Sequence, residues 1–278
     1  MANSENQTSS NPTLLLQRIA VGDSGGHAAL ITLNRPDALN AMDWDMILEL
    51  DGLLDTLSAD ASIRALLIIG AGRAFSAGGD LKKYIELQRD AMRFPQFVKD
   101  LHRVFGRLRQ LPVPAIALVN GVTAAGGLEL LISCDFALAA SSAKIGDGHL
   151  NFGQMGGGGV LTLLPRIIGL PKASELILSG RFLSAQEAAD WGLVNRVVAD
   201  DQLLAAGLEL ATGMAAKSPL GMRNAKHVMN NIWLESQDVA SGLRWELDHN
   251  SVYCLTSQDA PEGLQAFSEK RKPNYTGK

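Results

Sequence analysis

Cysteine is scarce in this chain: 278 residues include only two, Cys134 and Cys254. Two thiols cannot build the disulfide framework of a small secreted domain or a four-cysteine zinc site. Both lie among apolar neighbours in the sequence, so we predict that each is a buried free thiol. The sequence also lacks a cluster of histidine, cysteine and acidic residues at metal-ligand spacing, and we therefore predict no metal site.

Long apolar runs and an excess of positive charge are missing as well. No stretch of about 18 uninterrupted apolar residues occurs, so we expect no membrane-spanning helix. The formal net charge is −4, and overall charge gives no reason to expect a nucleic-acid partner. Residues 1–13 are polar and lack both arginine and an apolar core. This pattern argues against a targeting signal and predicts a disordered leader on a cytoplasmic protein.

Three stretches approach known cofactor or catalytic motifs and fail to meet them. Gly70-Ala-Gly72 follows a strand-like run, but Phe75 stands where a dinucleotide fingerprint needs its third glycine. Ser76 lacks the glycine two residues before it that a nucleophile elbow requires. The glycine run 156–159 lacks the Lys-Ser/Thr of a phosphate-binding P-loop, and we interpret it as a flexible lead-in to a helix over Val160–Ile168.

Apolar runs alternate with helical patterns over most of the chain, which predicts an α/β fold with parallel strand pairing. From Ser184 onward the pattern is mostly helical, and one strand-like run at 194–198 interrupts it. The other predicted strands are 14–21, 28–33, 65–69, 115–119 and 136–140, with a glycine-rich hairpin turn at 22–26. The other predicted helices are 43–58, 80–87, 97–111, 126–133, 185–191, 202–217, 219–233, 238–255 and 260–270.

Two glycine-rich turns each follow a short apolar run and bring an acidic residue with them. The first is Ala74-Phe-Ser-Ala-Gly-Gly-Asp80, and the second is Thr123-Ala-Ala-Gly-Gly-Leu-Glu129. Glycine lets a ligand approach main-chain N–H groups, and a helix that begins there presents several unpaired donors. Two such turns can hold one oxygen atom as it becomes negative. Glu129 lies in an apolar helical run, so we expect a buried carboxylate with a structural partner or a catalytic role.

Together these motifs resemble the crotonase, or enoyl-CoA hydratase/isomerase, superfamily over about residues 14–277. Three further stretches carry the resemblance: 33–40 (Leu-Asn-Arg-Pro-Asp-Ala-Leu-Asn), 183–195 and 261–271. The resemblance implies a spiral of ββα repeats with the active site over residues 14–200, and a helical oligomerisation region over 201–278. It also implies a homotrimer or a dimer of trimers. The substrate it implies is an acyl-CoA thioester, with coenzyme A as part of the substrate and no permanently bound cofactor.

The same resemblance assigns the catalytic groups. The main-chain N–H groups of Gly79 and Gly126 would form an oxyanion hole, where losing one donor typically costs about 10²–10³ in rate. Glu129 aligns with the first of two catalytic glutamates, which orients water and takes its proton. Hydratases carry the second glutamate in a pattern like Phe-Gly-x-Pro-Glu, and His149 stands at that position here. An imidazole with an ordinary pKa of about 6.5 suits proton transfer at neutral pH, and Asp147 is close enough in sequence to orient it.

The resemblance also places the acyl-CoA along the loop before the first long helix and along both glycine turns. The implied substrate-binding residues are Ala38, Leu39, Ser76, Ala77, Gly78, Asp80, Leu81, Gly121 and Ala125. In this interpretation the run 82–88 lines one wall of the acyl pocket. The basic residues 270–272 fit either a solvated helix end or contacts with the phosphates of coenzyme A.

Four roles remain open from the sequence. The first is a lyase that hydrates an α,β-unsaturated acyl-CoA, or the reverse, with Glu129 activating water and His149 donating a proton. The second is hydrolytic C–C cleavage of a β-diketone or a β-keto acyl-CoA, because some relatives with that chemistry carry a histidine at this position. Those relatives also have an acidic residue in the later glycine stretch, which is 156–159 here. Double-bond isomerisation is third, and a non-catalytic CoA-binding protein is fourth because the second glutamate is missing.

Overall fold

The computed structural model describes residues 12–22 and 25–278. Residues 1–11 of the predicted leader and residues 23–24 of the predicted hairpin turn lie outside the described residues. The strands on either side of that turn pair antiparallel, with Val21 opposite Gly26 and Leu14 opposite Leu33. The hairpin that the sequence predicts is therefore present.

The described residues form ten strands in two sheets. The strands are β1 Leu14–Val21, β2 Gly26–Leu33, β3 Ile63–Gly70, β4 Ala74–Ser76, β5 Ala115–Val119, β6 Val122–Ala124, β7 Phe136–Ala140, β8 Lys144–Gly146, β9 Phe182–Ser184 and β10 Arg196–Val198. The larger sheet has the order β1-β2-β3-β5-β7-β10 and is parallel apart from the β1–β2 hairpin. The smaller sheet has the order β4-β6-β8-β9, and only β9 runs antiparallel to its neighbour.

Successive segments of the chain alternate between the two sheets. The chain passes from β3 to β4, from β5 to β6 and from β7 to β8, and a helix follows each pair. This repeated ββα turn confirms the predicted α/β class and the spiral architecture. The sequence did not predict the strands of the smaller sheet, because each is three residues long and too short to show a period-two pattern.

The α-helices of the described residues surround the larger sheet and extend beyond it. Their bounds are α1 Trp44–Ala59, α2 Leu81–Gln88, α3 Arg93–Gln110, α4 Gly126–Ser133, α5 Val160–Ile168, α6 Leu170–Ser179, α7 Ala185–Asp190, α8 Leu203–Ala215, α9 Pro219–Leu234, α10 Val239–Thr256 and α11 Asp259–Ser268. Asp43 and Asp80 start α1 and α2, because each side chain accepts a main-chain N–H of the first helical turn. The sequence did not predict α6, which only Gly169 separates from α5.

The larger sheet is buried on both faces. Alternate strand residues such as Leu67 and Leu118 pack with α8 on one face, and their neighbours pack with α1, α3 and α4 on the other. Gly207 of α8 lies so close to the sheet that an added Cβ would be 2.9 Å from the side chain of Leu118. Continuous apolar strands are typical of a parallel sheet covered on both sides. This packing holds β3 and β5, from whose ends the chain continues into β4 and β6 and then into the two glycine turns.

The last three helices differ from the core in what they expose. In the single chain α9, α10 and α11 expose large apolar side chains, namely Met229, Leu234, Val239, Leu243, Leu247, Val252, Leu255, Leu264 and Phe267. Cys134 is buried as predicted, but the prediction is wrong for Cys254, which is exposed on α10. Its apolar sequence neighbours do not form a core around it. No helix within residues 12–22 and 25–278 has the length and hydropathy needed to cross a membrane.

Candidate active site

The two glycine turns lie against each other because the strands that lead into them pair. β4 and β6 are parallel neighbours in the smaller sheet, with Ser76 opposite Thr123. Gly78 has a positive φ of 105°, and an added Cβ would lie 2.8 Å from the Cβ of Ala125 and 3.3 Å from the nitrogen of Gly126. Only glycine fits there, so the close approach of the two turns depends on Gly78.

Both candidate oxyanion donors have free N–H groups. Within the described ranges, neither Gly79 nor Gly126 donates its main-chain N–H to another group. Met42 bridges to the first turn through its own N–H, which donates to the Gly78 carbonyl, and through its carbonyl, which accepts from Asp80. Two unpaired donors on touching turns are the arrangement that the resemblance predicts for an oxyanion hole.

The residue before the second donor has a strained backbone. Ala125 has φ 48° and ψ −118°, a region that residues with a side chain rarely adopt. Strain of this kind costs on the order of 1–3 kcal/mol and persists only where neighbours hold it. Here the Ala125 N–H donates to the carbonyl of Asp147 at 2.6 Å, and its carbonyl accepts from Glu129 at 3.0 Å. These bonds fix the direction in which the chain enters α4.

Glu129 lies in the first turn of α4 and is 1% exposed. Its Oε1 accepts the N–H of Gly158 at 2.7 Å and that of Val160 at 3.3 Å. Burial raises the pKa of Glu129 above its ordinary value, although the charge of His149 and these two N–H groups oppose the rise. The expected buried carboxylate is therefore present. Among the described residues its hydrogen-bond partners are main-chain donors, and no basic side chain contacts it.

His149 begins a short 3-10 helix, His149–Phe152, directly after β8. Its Nδ1 lies 2.9 Å from Oδ1 of Asp147, a carboxylate that is 1% exposed. Burial opposes a charged imidazole, but the hydrogen bond to Asp147 and the charges of Asp147 and Glu129 outweigh it and raise the pKa of His149. Asp147 thus contacts the imidazole, as the sequence suggested.

The glycine run 156–159 packs against both Glu129 and His149. A Cβ on Gly156 would lie 3.0 Å from Oε1 of Glu129 and 3.3 Å from Cε1 of His149. A Cβ on Gly158 would lie 2.6 Å from Oε2 of Glu129. The run does lead into α5 as predicted, but the sequence interpretation missed that it also packs around the carboxylate.

A cavity of about 580 Å³ opens beside these groups. Its lining residues are Arg35, Ala38, Ala41, Ala77, Gly79, Asp80, Leu81, Lys82, Tyr84, Ala125, His149, Phe152 and Gln154. A cavity of this size, with a few convergent polar groups and residues of shifted pKa, is the usual form of a small-molecule site.

The cavity contains some of the predicted substrate residues and excludes others. Ala38, Ala77, Asp80, Leu81 and Ala125 line it together with Gly79 and His149. Gly126 and Glu129, two of the predicted catalytic residues, are not part of the lining.

Four predicted substrate residues, Leu39, Ser76, Gly78 and Gly121, are not part of the lining. The Leu39 carbonyl accepts the N–H of Ala77 at 2.9 Å. The Ser76 hydroxyl donates to the carbonyl of Asn40 at 2.9 Å. A Cβ on Gly121 would lie 2.1 Å from the carbonyl oxygen of Arg73. These contacts brace the first glycine turn.

Comparison with known proteins identifies the chain's relatives. The sequence profile of the family described as enoyl-CoA hydratase/isomerase matches residues 24–278. The chain belongs to the enoyl-CoA hydratase/isomerase family.

Relatives and solved structures agree over nearly the full length. The Bacillus subtilis protein YngF, provisionally named an enoyl-CoA hydratase/isomerase, is 39% identical over 254 residues, which are 90% of this chain and 95% of that protein. The crotonyl-CoA hydratase of Syntrophomonas wolfei is 34% identical over 251 residues, 90% and 95% of the two chains. The crystal structure of an enoyl-CoA hydratase from Bacillus anthracis superposes with a TM-score of 0.89 at 34% identity, covering 96% of this chain and 100% of that one.

Arg35, from the family-like stretch 33–40, braces the first turn of this enoyl-CoA hydratase/isomerase family member. Its guanidinium pairs with Asp80 at 2.7 Å and donates to the carbonyl of Ala41 at 2.6 Å. Asp80 follows the donor Gly79 and caps α2, so Arg35 connects two walls of the cavity. The sequence interpretation did not single out Arg35, although it lies inside the family-like stretch 33–40, which was a usable signal.

Two further questions from the sequence concern residues 270–272 and a metal site. Arg271 forms ion pairs with Glu262 at 2.6 Å and with Glu269 at 2.6 Å, which fits the solvated helix end that the sequence left open. A role of residues 270–272 in binding coenzyme A stays a prediction. In the part of the chain that the structure describes, no group of three or more histidine, cysteine or acidic residues could hold a metal ion.

Proposed function

We propose that this protein is an enoyl-CoA hydratase, which adds water across the α,β-double bond of an acyl-CoA thioester and catalyses the reverse dehydration. The observation that carries the proposal is that Glu129 and His149 both lie within 3.3 Å of the position of a Cβ on Gly156, beside two glycine turns with free N–H donors. Hydratase-named relatives at 33–39% identity support the same reaction class.

In the proposed reaction the thioester oxygen accepts hydrogen bonds from the N–H groups of Gly79 and Gly126. Glu129 takes a proton from water as the water oxygen bonds to C3, and the electron pair of the double bond moves toward the thioester as an enolate. The imidazolium of His149 then gives its proton to C2. One water is consumed, its hydroxyl bonding to C3 while C2 takes the His149 proton. Glu129 then releases its extra proton to solvent and His149 takes one up, which restores both groups. Coenzyme A enters as part of the substrate, and no bound cofactor is needed.

The electrostatics of the pair support this division of roles. A hydratase needs one group that carries a proton and one that does not at the working pH. Burial raises the pKa of Glu129, but the charge of His149 and two N–H donors favour its carboxylate form. The charges of Glu129 and Asp147 in turn favour the imidazolium form of His149. The two groups therefore stabilise each other as carboxylate and imidazolium.

C–C bond hydrolysis of a β-diketone or β-keto acyl-CoA receives less support. The relatives that carry a histidine at this position add an acidic residue in the later glycine stretch. In this chain that stretch packs against Glu129, and an added Cβ at Gly158 would lie 2.6 Å from its Oε2. No carboxylate can be placed at that residue without moving Glu129.

The test is hydration of crotonyl-CoA, followed by the loss of absorbance of the conjugated thioester. Glu129→Gln and His149→Ala should each lower kcat about 10²–10⁴-fold, the usual contribution of a general acid or base. Activity of the unchanged protein should also fall as pH rises above the pKa of His149, and His149→Ala should remove that decline. Glu175→Gln, which changes an exposed glutamate that pairs with Arg181 and is not part of the cavity lining, is the matched control and should keep full activity.

Three results would contradict the proposal in different ways. Binding of crotonyl-CoA without turnover would favour C–C hydrolysis or another acyl group. Absence of binding would remove the acyl-CoA assignment. Unchanged turnover in Glu129→Gln would make the carboxylate structural.

We also propose that the protein assembles as a homotrimer or a dimer of trimers. The apolar side chains that α10 and α11 expose in the single chain, among them Leu247, Leu255 and Phe267, support an interface there. Light scattering should give three or six times the chain mass of 29.6 kDa. A mass of one chain would contradict the proposal. A cytoplasmic location stays a prediction.

A further inference from the structure

Asp147 connects the two halves of the candidate site. It lies between β8 and the short helix that begins at His149, and β8 pairs with β6, the strand that leads into the second glycine turn. Its main-chain carbonyl accepts the N–H of the strained Ala125, and its carboxylate contacts Nδ1 of His149. One residue therefore touches both the turn that precedes Gly126 and the candidate proton donor.

The side chain of Asp147 has one hydrogen-bond partner among residues 12–22 and 25–278. That partner is Nδ1 of His149 at 2.9 Å, and the carboxylate itself is 1% exposed. A buried carboxylate next to one imidazole nitrogen requires a hydrogen on that nitrogen. The proton on Nδ1 is thus held inside the protein, and Nε2 is the nitrogen left to exchange a proton with the cavity.

The other charged groups near His149 reinforce this picture. From α4, Glu129 adds a second carboxylate whose charge favours the imidazolium form. Around the cavity, Arg35 and Asp80 neutralise each other in an ion pair at 2.7 Å, and Lys82 and Tyr84 come from α2. Burial and the charge of Glu129 raise the pKa of Tyr84, which keeps its phenol neutral. Of the residues that the structure describes, only Asp147 is in hydrogen-bond contact with the imidazole.

We propose that Asp147 is the positioning residue of the proton donor: its carboxylate fixes the Nδ1–H form of His149 and stabilises the imidazolium charge. Nε2 then presents the proton that passes to C2 of the enolate. This inference rests on the proposed hydration for its kinetic consequence, while the contact between the two side chains stands without it. Asp147 itself touches neither substrate nor the reacting carbon in this account.

The first test is Asp147→Asn, which keeps the size of the side chain and its main-chain bond to Ala125. Removing an opposite charge at this distance should lower the pKa of His149 by about 1–3 units, so the alkaline decline of kcat moves to lower pH by that amount. At pH 8 kcat should fall tenfold or more, whereas KM changes less than threefold. Asp259→Asn removes an equally buried aspartate that accepts the Ser218 hydroxyl far from the cavity, and it should leave the decline in place. An unmoved decline in Asp147→Asn would overturn the inference.

A double-variant cycle separates positioning from a merely structural role. In a His149→Ala background the imidazole is absent, so Asp147 has no proton donor left to position. Asp147→Asn should then change the residual activity less than threefold, whereas it lowers activity tenfold or more when His149 is present. Equal losses in both backgrounds would assign Asp147 to folding alone and overturn the inference.

The deciding experiment does not depend on turnover. Titration of ¹⁵N-histidine-labelled protein by NMR, with His149→Gln to assign the resonances, reports the proton on Nδ1 and the pKa of the ring. The expected result is a neutral form protonated on Nδ1 and a pKa that falls in Asp147→Asn. A neutral form protonated on Nε2, or a pKa unchanged by the substitution, overturns the inference. If crotonyl-CoA is not hydrated but the titration behaves as expected, the proposed function fails and the role of Asp147 survives.

Discussion

The two ends of α4 each carry a cluster of buried ionisable groups, and the clusters differ in how completely they are satisfied. At the C-terminal end, Lys226 donates to Asp135 at 2.7 Å and to the carbonyls of Leu108 and Val113 at 2.9 and 2.8 Å. Arg109 caps the last turn by donating to the carbonyl of Ile132. Apart from Nε of Arg109, the polar side-chain atoms buried at this end have partners within the described ranges.

At the N-terminal end of α4 several polar groups lack hydrogen-bond partners. Among the described residues, Glu129 has two main-chain donors and no cation in hydrogen-bond contact. His149 has one partner, on Nδ1, and lines the cavity. The N–H groups of Gly79 and Gly126 have no acceptor within residues 12–22 and 25–278. Buried polar groups in native proteins are nearly always paired, so unmatched donors beside shifted pKa values indicate a place for a ligand. A cluster whose polar groups nearly all have partners therefore indicates a structural role, whereas a cluster with unpaired groups indicates a functional site.

Lys226→Met tests the cluster at the C-terminal end of α4. It should give the largest effect, a loss of stability. Removing one partner of a buried ion pair leaves the other uncompensated, and the free energy of unfolding should fall by about 3–5 kcal/mol. Urea unfolding measures the change, with the exposed Lys99→Met as the control, which should stay within about 0.5 kcal/mol. The folded fraction should keep its kcat. A stable variant with lost activity would reverse the assignment of the two ends.

Gly79→Pro tests the cluster at the N-terminal end of α4 by deleting one N–H. Proline removes the donor without breaking an internal hydrogen bond, and the φ of Gly79 lies outside the positive range that would exclude it. The loss of one oxyanion donor should lower kcat about 10²–10³-fold. Gly79→Ala keeps the N–H, and its Cβ meets only Tyr84 at 3.8 Å, so it should lose much less. Equal losses in the two variants would show that the turn needs glycine for its shape alone.

Sequence patterns predicted what depends on local periodicity. The bounds of β5, β7, α4 and α5 match the predicted ranges, since a buried parallel strand and an apolar helix show in the sequence itself. The burial of Glu129 followed from the same pattern. The smaller sheet could not be predicted, because strands of three residues show no periodic pattern. The exposure of Cys254 could not be predicted either, because it depends on where α10 lies relative to the core.

The partners of the candidate site could not be predicted, because they come from distant parts of the chain. Gly158 is 29 residues from Glu129, and Asp80 is 45 residues from Arg35. Only the fold brings them together. The Asp147–His149 contact is the exception, since two residues of separation in a tight turn allowed it to be suggested from the sequence.

Gly158→Ala tests the proposed catalytic carboxylate of Glu129 by moving it instead of removing it. The new Cβ would lie 2.6 Å from Oε2 of Glu129, so the side chain must shift. A displacement of about 1 Å can cost as much as 10²-fold in rate, and we expect a loss of kcat between tenfold and that value. Gly157→Ala is the neighbouring control, because its Cβ meets only Val98 at an ordinary 3.4 Å. If both variants behave alike, the loop and not the position of Glu129 controls the rate.

The smallest expected effect is a gain in stability from Glu129→Gln. An acid whose pKa is raised on folding holds its proton more tightly in the folded chain, so its contribution to stability is greatest at low pH. That contribution is lost as pH rises from the ordinary value of 4.5 through the raised folded-state pKa. Glutamine keeps an oxygen for the N–H groups of Gly158 and Val160 but carries no charge to bury.

Glu129→Gln should therefore match the unchanged protein at pH 4.5 and be more stable at pH 8, by about 1 kcal/mol or 2–4 °C in Tm. Thermal unfolding across this pH range measures the difference, and His149 contributes to both proteins. Glu175→Gln, an exposed change, should show no such divergence. A variant that is less stable at pH 8 would mean that Glu129 holds α4 against the glycine run as a structural ion. The cluster at the N-terminal end of α4 would then be structural, like the cluster at the C-terminal end, and the distinction between the two would fail.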